Sequence, residues 1–178
     1  FRRAGLPLSM SQGFHPKPQM TFPLALAVGI EGHDEVMELE LTESPSAETL
    51  LARLESQTPS GLRFSSAEVL PPGSRKARAR SATYQVTVPP LRRGGLDERV
   101  QQLLAAESHP IRRPNRSASV DLRASLLALA LRGDTLEMRL RTEGAANAGP
   151  RDVLAALGLE NIEHDGVHLT RTYVEIDS

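Results

Sequence analysis

The clearest periodicity lies in the second half of the chain. "ATYQVTV" alternates, with Tyr84, Val86 and Val88 on one side, which predicts a half-buried strand. "GGLDERVQQLLAAES" then places Leu96, Val100, Leu103 and Leu104 on one helical face, with Asp97 and Glu98 in its first turn, where acids complement the helix dipole. "LLALALRGDTLEMRLRT" alternates twice around "RGDT". Leu127, Leu129 and Leu131 define one arm and Leu136, Met138 and Leu140 the other, the pattern of a hairpin. Pro150 opens and Gly158 closes a short helix in "GPRDVLAALG", and "VHLTRTYVEI" predicts a last strand. The order is β-α-β-β-α-β, the ferredoxin-like arrangement.

The first half predicts the same order with its beginning missing. "FRRAGLP" has the character of a helix's last turn, with Gly5 as C-cap and Pro7 beyond; the natural protein is expected to start upstream. "QMTFPLALAV" is apolar and extended, with Pro23 at an edge or bulge. "EVMELELT" sends Met37, Leu39 and Leu41 one way and Glu38 and Glu40 the other, and the turn-like "IEGHDE" between the two predicts a hairpin. In "SPSAETLLARLESQ", Ser44 is placed as cap, Pro45 as first helical residue, and Ala47, Leu50, Leu51 and Leu54 as the apolar face. "LRFSSAEVL" predicts a further strand. The expected fold is therefore α+β: two tandem ferredoxin-like units, 1–72 and 82–178, joined by a basic linker over 73–81. The first unit lacks its first strand and most of its first helix.

Composition narrows the chemistry. The chain has 178 residues, 39% hydrophobic but only 3% aromatic, with no Trp and no Cys. That excludes disulfides, thiolate metal sites, cysteine-ligated iron–sulfur clusters and thiol catalysis within it. A net charge of −1 gives no whole-chain signal for nucleic acid. Lysine occurs only at Lys17 and Lys76; every other basic residue apart from the histidines is arginine, which forks onto phosphate and carboxylate as lysine does not. No apolar run reaches the length of a membrane span, so no membrane association is expected.

Five places carry candidate chemistry. "SQGFHPKP" joins a glycine able to take positive φ, an aromatic, a histidine, a cation and two rigid prolines. It is either an ordered loop with Phe14 in the core or a binding loop with Phe14 against a ligand. "IEHDGVH" groups Glu163, His164, Asp165 and His168, but in extended structure the two histidines lie about 13 Å apart, so a solvated turn is expected and no metal. "VDLR" puts Asp121 and Arg123 on one face of a short strand, to pair or to meet a ligand together. Basic clusters stand at Arg75, Lys76, Arg78 and Arg80, and at Arg112, Arg113 and Arg116, with Arg139 and Arg141 on a strand; they suit phosphate but lack interleaved aromatics. "RGD" at 132–134 is a hairpin turn. The chain has neither a nucleophile elbow nor a glycine-rich phosphate loop.

"RRAGLPLSMSQGFHPKPQMTFPLALAVGIEG" with the following "VMELELTE" resembles the bacterial radical SAM-linked domain of unknown function. That domain is found fused to radical SAM modules, or encoded beside them and beside E/G-type ribonucleases. The resemblance is strongest over Arg2 to Thr42, moderate at "VDLR" and weak in "LTRTYVEI". Its shared motif falls on Ser11, Gln12, Gly13, Phe14 and Pro16, while His15 and Lys17 stand where the family varies. The resemblance implies a cytoplasmic location and a radical SAM protein as partner, with RNA (tRNA or rRNA) as a further one and the iron–sulfur cysteines in the partner.

Three functions follow as expectations. The first is a non-catalytic accessory module that binds through Ser11, Gln12, Gly13, Phe14, Pro16, Lys17, Arg112, Arg113, Arg116, Asp121 and Arg123, with no cofactor in this chain. The second is an RNA- or nucleotide-modifying enzyme using His15 or Asp121. The third is a purely structural protein–protein interaction domain.

Overall fold

The computed structural model describes residues 1–112, 119–144 and 147–177; Arg113 and Arg116 fall outside them. In chain order the elements are β1 Met20–Thr21, β2 Ile30–Gly32, β3 Glu38–Leu39, α1 Ala47–Glu55, β4 Arg78–Thr87, α2 Leu96–Ala105, β5 Pro110–Ile111, β6 Val120–Asp121, α3 Leu122–Ser125, β7 Leu126–Arg132, β8 Thr135–Arg141, α4 Pro150–Ala156 and β9 Leu169–Asp177. The fold is α+β with one mostly antiparallel five-stranded sheet. The chain divides into two compact units, Phe1–Phe22 with Met37–Lys76, and Pro23–Val36 with Ala77–Ser178.

In the second unit the strand order is β2-β9-β4-β8-β7. β4 pairs antiparallel with both β8 and β9, and β8 pairs antiparallel with β7. The predicted alternation is realised: Tyr84, Val86 and Val88 are buried with Leu136, Met138 and Leu140. Leu96, Val100 and Leu103 of α2 and Val153 and Leu154 of α4 join the same core. One arm of the hairpin departs from simple alternation. An irregular register between Leu126 and Ala128 puts Leu126 and Leu129 in the core and leaves Leu127 exposed, as a bulge does when two residues oppose one. Arg78 and Arg80, expected in a linker, already belong to β4.

β2 was not foreseen. "IEG" lies inside the expected turn, yet Ile30, Glu31 and Gly32 pair in parallel with Leu169, Thr170 and Arg171 of β9. The strap 23–36 is held by Arg171, whose side chain is only 2% exposed. Its Nε donates to Glu35 Oε1 at 2.8 Å and its Nη2 to Glu35 Oε2; the guanidinium also donates to the carbonyls of Ala25 (3.2 Å) and Leu24 (2.9 Å). Burial works against the charge, but hydrogen bonds to Glu35 and Tyr84 outweigh it and hold the guanidinium above its ordinary value. Arg151 adds a second clasp, bidentate on Glu163 at 2.7 and 2.8 Å with a bond to the Val28 carbonyl at 3.2 Å.

The first unit is built differently. The expected hairpin shrinks to β1 with β3, paired through Met20↔Leu39 and Thr21↔Glu38. "LRFSSAEVL" forms no strand: its apolar positions do not alternate and no partner strand meets it. Helix α1 starts two residues later than expected, at Ala47, because Ser46 is the cap, its hydroxyl accepting from the Thr49 amide at 3.2 Å. At the start of the chain, Ala4 and Gly5 close consecutive turns on Phe1 and Arg2, with Gly5 at φ +61°. Few apolar side chains are buried in this unit; Leu6 and Leu54 are among them, while Met10, Met20, Phe22, Leu62, Val69 and Leu70 stay exposed.

Candidate functional site

The motif Ser11 to Lys17 forms the tip of a tight hairpin. At its root, three residues bond in a closed cycle: the Gln19 amide donates to the Ser9 carbonyl (2.8 Å), Ser9 to Glu40 (2.8 Å) and Glu40 to Gln19 (3.0 Å). Three extended segments are thereby tied together, each pairing with the other two; the bridges Leu8↔Leu41 and Met10↔Pro18 extend the arrangement. One step further out, the Ser11 amide donates to the Lys17 carbonyl at 2.8 Å and the Lys17 amide to Ser11 Oγ at 3.0 Å. Ser11 thus closes the loop: its amide serves the Lys17 carbonyl, which the neighbouring prolines, lacking an N–H, cannot, and its hydroxyl serves the Lys17 amide.

Beyond that closure, Gln12 to Lys17 are exposed. Gly13 sits at φ +139° with nothing within 4 Å of the place a Cβ would occupy, so the backbone conformation, not space, requires glycine. Phe14 is 93% exposed. Of the two expectations for it, the structure therefore selects the ring held out from the core. His15 packs against it at 4.9 Å between ring centroids and 77° between planes.

Asp121 and Arg123 do not form a side-chain pair. Asp121 Oδ1 accepts from the amides of His109 and Arg123, each at 2.9 Å, and caps α3. The His109 bond, helped by Ser108, Arg123 and Ala124 and opposed by burial, holds its carboxyl below the usual range. The Arg123 guanidinium donates to the carbonyls of Leu104 (3.3 Å) and Leu126 (3.1 Å). Arg123 thus joins the end of α2 to the start of β7, and Asp121 ties the segment at His109 to α3. Arg112 is exposed just before the undescribed stretch that contains Arg113 and Arg116.

Several of the predicted basic groups are already neutralised. Lys76 pairs with Glu40 at 3.3 Å and Arg80 with Asp177 at 2.7 Å. On the sheet face away from the core, Arg139 donates to Ser81 Oγ (3.0 Å) and to Glu175 Oε2 (2.8 Å), and Ser81 Oγ donates to the same carboxylate at 2.6 Å. The Ser81 bond first and the Arg139 bond second hold the Glu175 carboxyl below its ordinary value. Among the described residues no group of three or more His, Asp and Glu is placed to hold a metal, and no helix is long and apolar enough to cross a membrane.

Sequence reasoning overlooked Arg2 and Arg3. They line a pocket of about 330 Å³ with Leu8, Pro18 and Met20, at the root of the hairpin. A signal existed: residues 1–30 contain Arg2, Arg3 and Lys17 and not one Asp or Glu. The cycle of Ser9, Gln19 and Glu40 left no such signal, since only backbone atoms form it.

No curated protein and no solved structure matches the chain. A family model does match, over residues 1–150, a span that includes the hairpin, the strap and "VDLR". The chain belongs to that family, described as an uncharacterized protein conserved in bacteria, DUF2344.

Proposed function

We propose that the protein is a non-catalytic binding module that works beside a radical SAM protein on RNA. One observation carries this reading: Phe14 is presented at 93% exposure on a loop whose ends are bonded to each other and to a third segment. Holding a large apolar ring in water is unfavourable by roughly 2 kcal/mol relative to burying it. A fixed backbone that holds it there suits a surface made to be covered. Of the two acid–base candidates, Asp121 is committed to capping, its carboxyl held as an acceptor by backbone amides. That favours binding over catalysis, because a general acid or base needs a pKa near the working pH.

The exposed apolar residues of the first unit, such as Met20, Phe22 and Leu62, favour a protein partner as well. The reading of the second unit as ferredoxin-like is supported by its β-α-β-β-α-β order and by its long strands lying 4-1-3-2 in sequence numbering. The radical SAM association itself rests on the sequence resemblance around the hairpin. The full-length protein should co-elute with the radical SAM protein encoded beside it, and the complex should survive nuclease. Loss of the complex under conditions where both proteins are folded counts against the reading.

A further inference from the structure

We infer that the Gly13 hairpin is a finger for single-stranded nucleic acid: Phe14 stacks on one unpaired base while Lys17, Arg2 and Arg3 take the flanking phosphates. The inference deepens the proposed function and rests on its premise that the chain is a binding module.

Three features converge on this ligand. An exposed aromatic on a rigid support offers a face to any base, because every base has a π-face; such stacking contributes about 1–3 kcal/mol. Backbone phosphates need cations that are not already neutralised. Arg2, Arg3 and Lys17 lie in a stretch without acids, and among the described residues none of the three stands in an ion pair. The pocket at the hairpin's root then combines Arg2 and Arg3 with the apolar Leu8, Pro18 and Met20. Its volume of about 330 Å³ lies at the small end of ligand pockets, enough for one further nucleotide. Aromatic tip, cationic flank and apolar pocket all belong to the first unit.

The alternative platform is less suited. The outward face of the second unit's middle strands carries Thr83, Gln85, Glu137 and Arg139, with a single half-exposed ring, Tyr173 of β9, opposite Thr83. Gln85 donates to Glu137 at 2.8 Å, and Arg139 is held by Glu175 and Ser81. A strand recognised by stacking and charge is therefore directed to the hairpin. Stacking on Phe14 and charge contacts to phosphate do not involve the 2′-hydroxyl, so RNA and DNA single strands are expected to bind alike.

The test uses the absence of tryptophan from the chain. Phe14→Trp in this chain places its sole tryptophan at the tip, excited at the red edge where Tyr84 and Tyr173 do not absorb. Titration with fluorescein-labelled oligouridylate and oligothymidylate should quench it with the same midpoint that anisotropy of the labelled strand reports. Affinity should fall with salt at a log–log slope of about −2, as three phosphate contacts on a single strand require. Phe14→Ala should weaken binding about tenfold at an unchanged slope; Phe14→Tyr should restore it. Arg2→Ala with Arg3→Ala should flatten the slope.

Three outcomes overturn the inference: no binding at low salt, binding by anisotropy without quenching, or a blue shift of the tryptophan only when the radical SAM protein is added. Co-elution of Phe14→Ala with that protein separates the two ideas. If the complex persists while nucleic-acid binding is absent, the finger fails and the accessory role stands.

Discussion

Arg171 is the side chain on which the strap depends. It lies at the same phase of β9 as Leu169, a phase that faces inward, and its charge is met by Glu35 from a turn far away in sequence. Removing one partner of such a pair leaves a buried charge uncompensated, a larger loss than the pair's net contribution. Glu35→Ala should lower stability by about 3 kcal/mol in urea unfolding, with Glu35→Gln intermediate; an unchanged midpoint would show that the pair contributes nothing. At Gly13 the effect should be local. Gly13→Ala forces an L residue to φ +139°, at a cost of order 1–3 kcal/mol. Hydrogen exchange should speed up at the Ser11 and Lys17 amides and stay unchanged in β4 and β8. Asp121 gives a pH dependence. Its folded carboxyl titrates below the unfolded value, so the unfolded chain binds more protons between the two. Its stabilisation is present above the ordinary carboxylate range and is lost as pH falls through the lowered value. Asp121→Asn should remove that part of the acid sensitivity in thermal melts recorded from neutral to acid pH.

The long elements β4, β8 and α2 of the second unit were legible because each follows one period. β4 and β8 alternate, α2 repeats its apolar positions at helical spacing, and "RGDT" turns a hairpin whose Gly133 takes φ +64°. β2 was not legible because three residues show no period and its partner is the most distant strand in the sequence. A cue did exist, an arginine on the inward phase of β9, which demands a carboxylate somewhere. "LRFSSAEVL" erred in the opposite direction: its residues favour extension, yet a strand needs a neighbour, and none is available. For the candidate site, glycine and prolines marked an ordered loop, but the direction of Phe14 depends on the closing bonds of Ser11, which sequence does not display. Gly32 tests the strap as an element. A Cβ there would lie 2.6 Å from Glu35 Cγ, so Gly32→Ala should displace Glu35 and cost about 1–3 kcal/mol. The destabilisation should largely disappear when Glu35 is already alanine, a coupling that a double-mutant cycle would measure.

At the scale of the molecule the two units divide the physics between them. The second has an apolar core that runs from Ala82 to Leu169; the first relies on a backbone ring and buries few side chains. Limited proteolysis should therefore begin in the first unit, in the exposed stretch between α1 and β4. A cut there should leave two pieces that stay together on size exclusion, since β2 remains paired with β9 and Arg171 with Glu35. Separation of the pieces without denaturant would count against the strap as drawn.

The strap also sets a timetable. A ribosome releases Ile30 to Gly32 early, but their partner, Leu169 to Arg171, emerges only after nearly everything between has been made. Until then Glu35 has no guanidinium to meet, and when β9 does emerge Arg171 must find its carboxylate across a very long loop. Pairing over such a separation is slow to form, and an unpaired sheet edge is exposed while it is awaited. The sheet's last edge is thus completed only once everything between the two strands has been made, and the nascent chain is the form of this protein most in need of a chaperone.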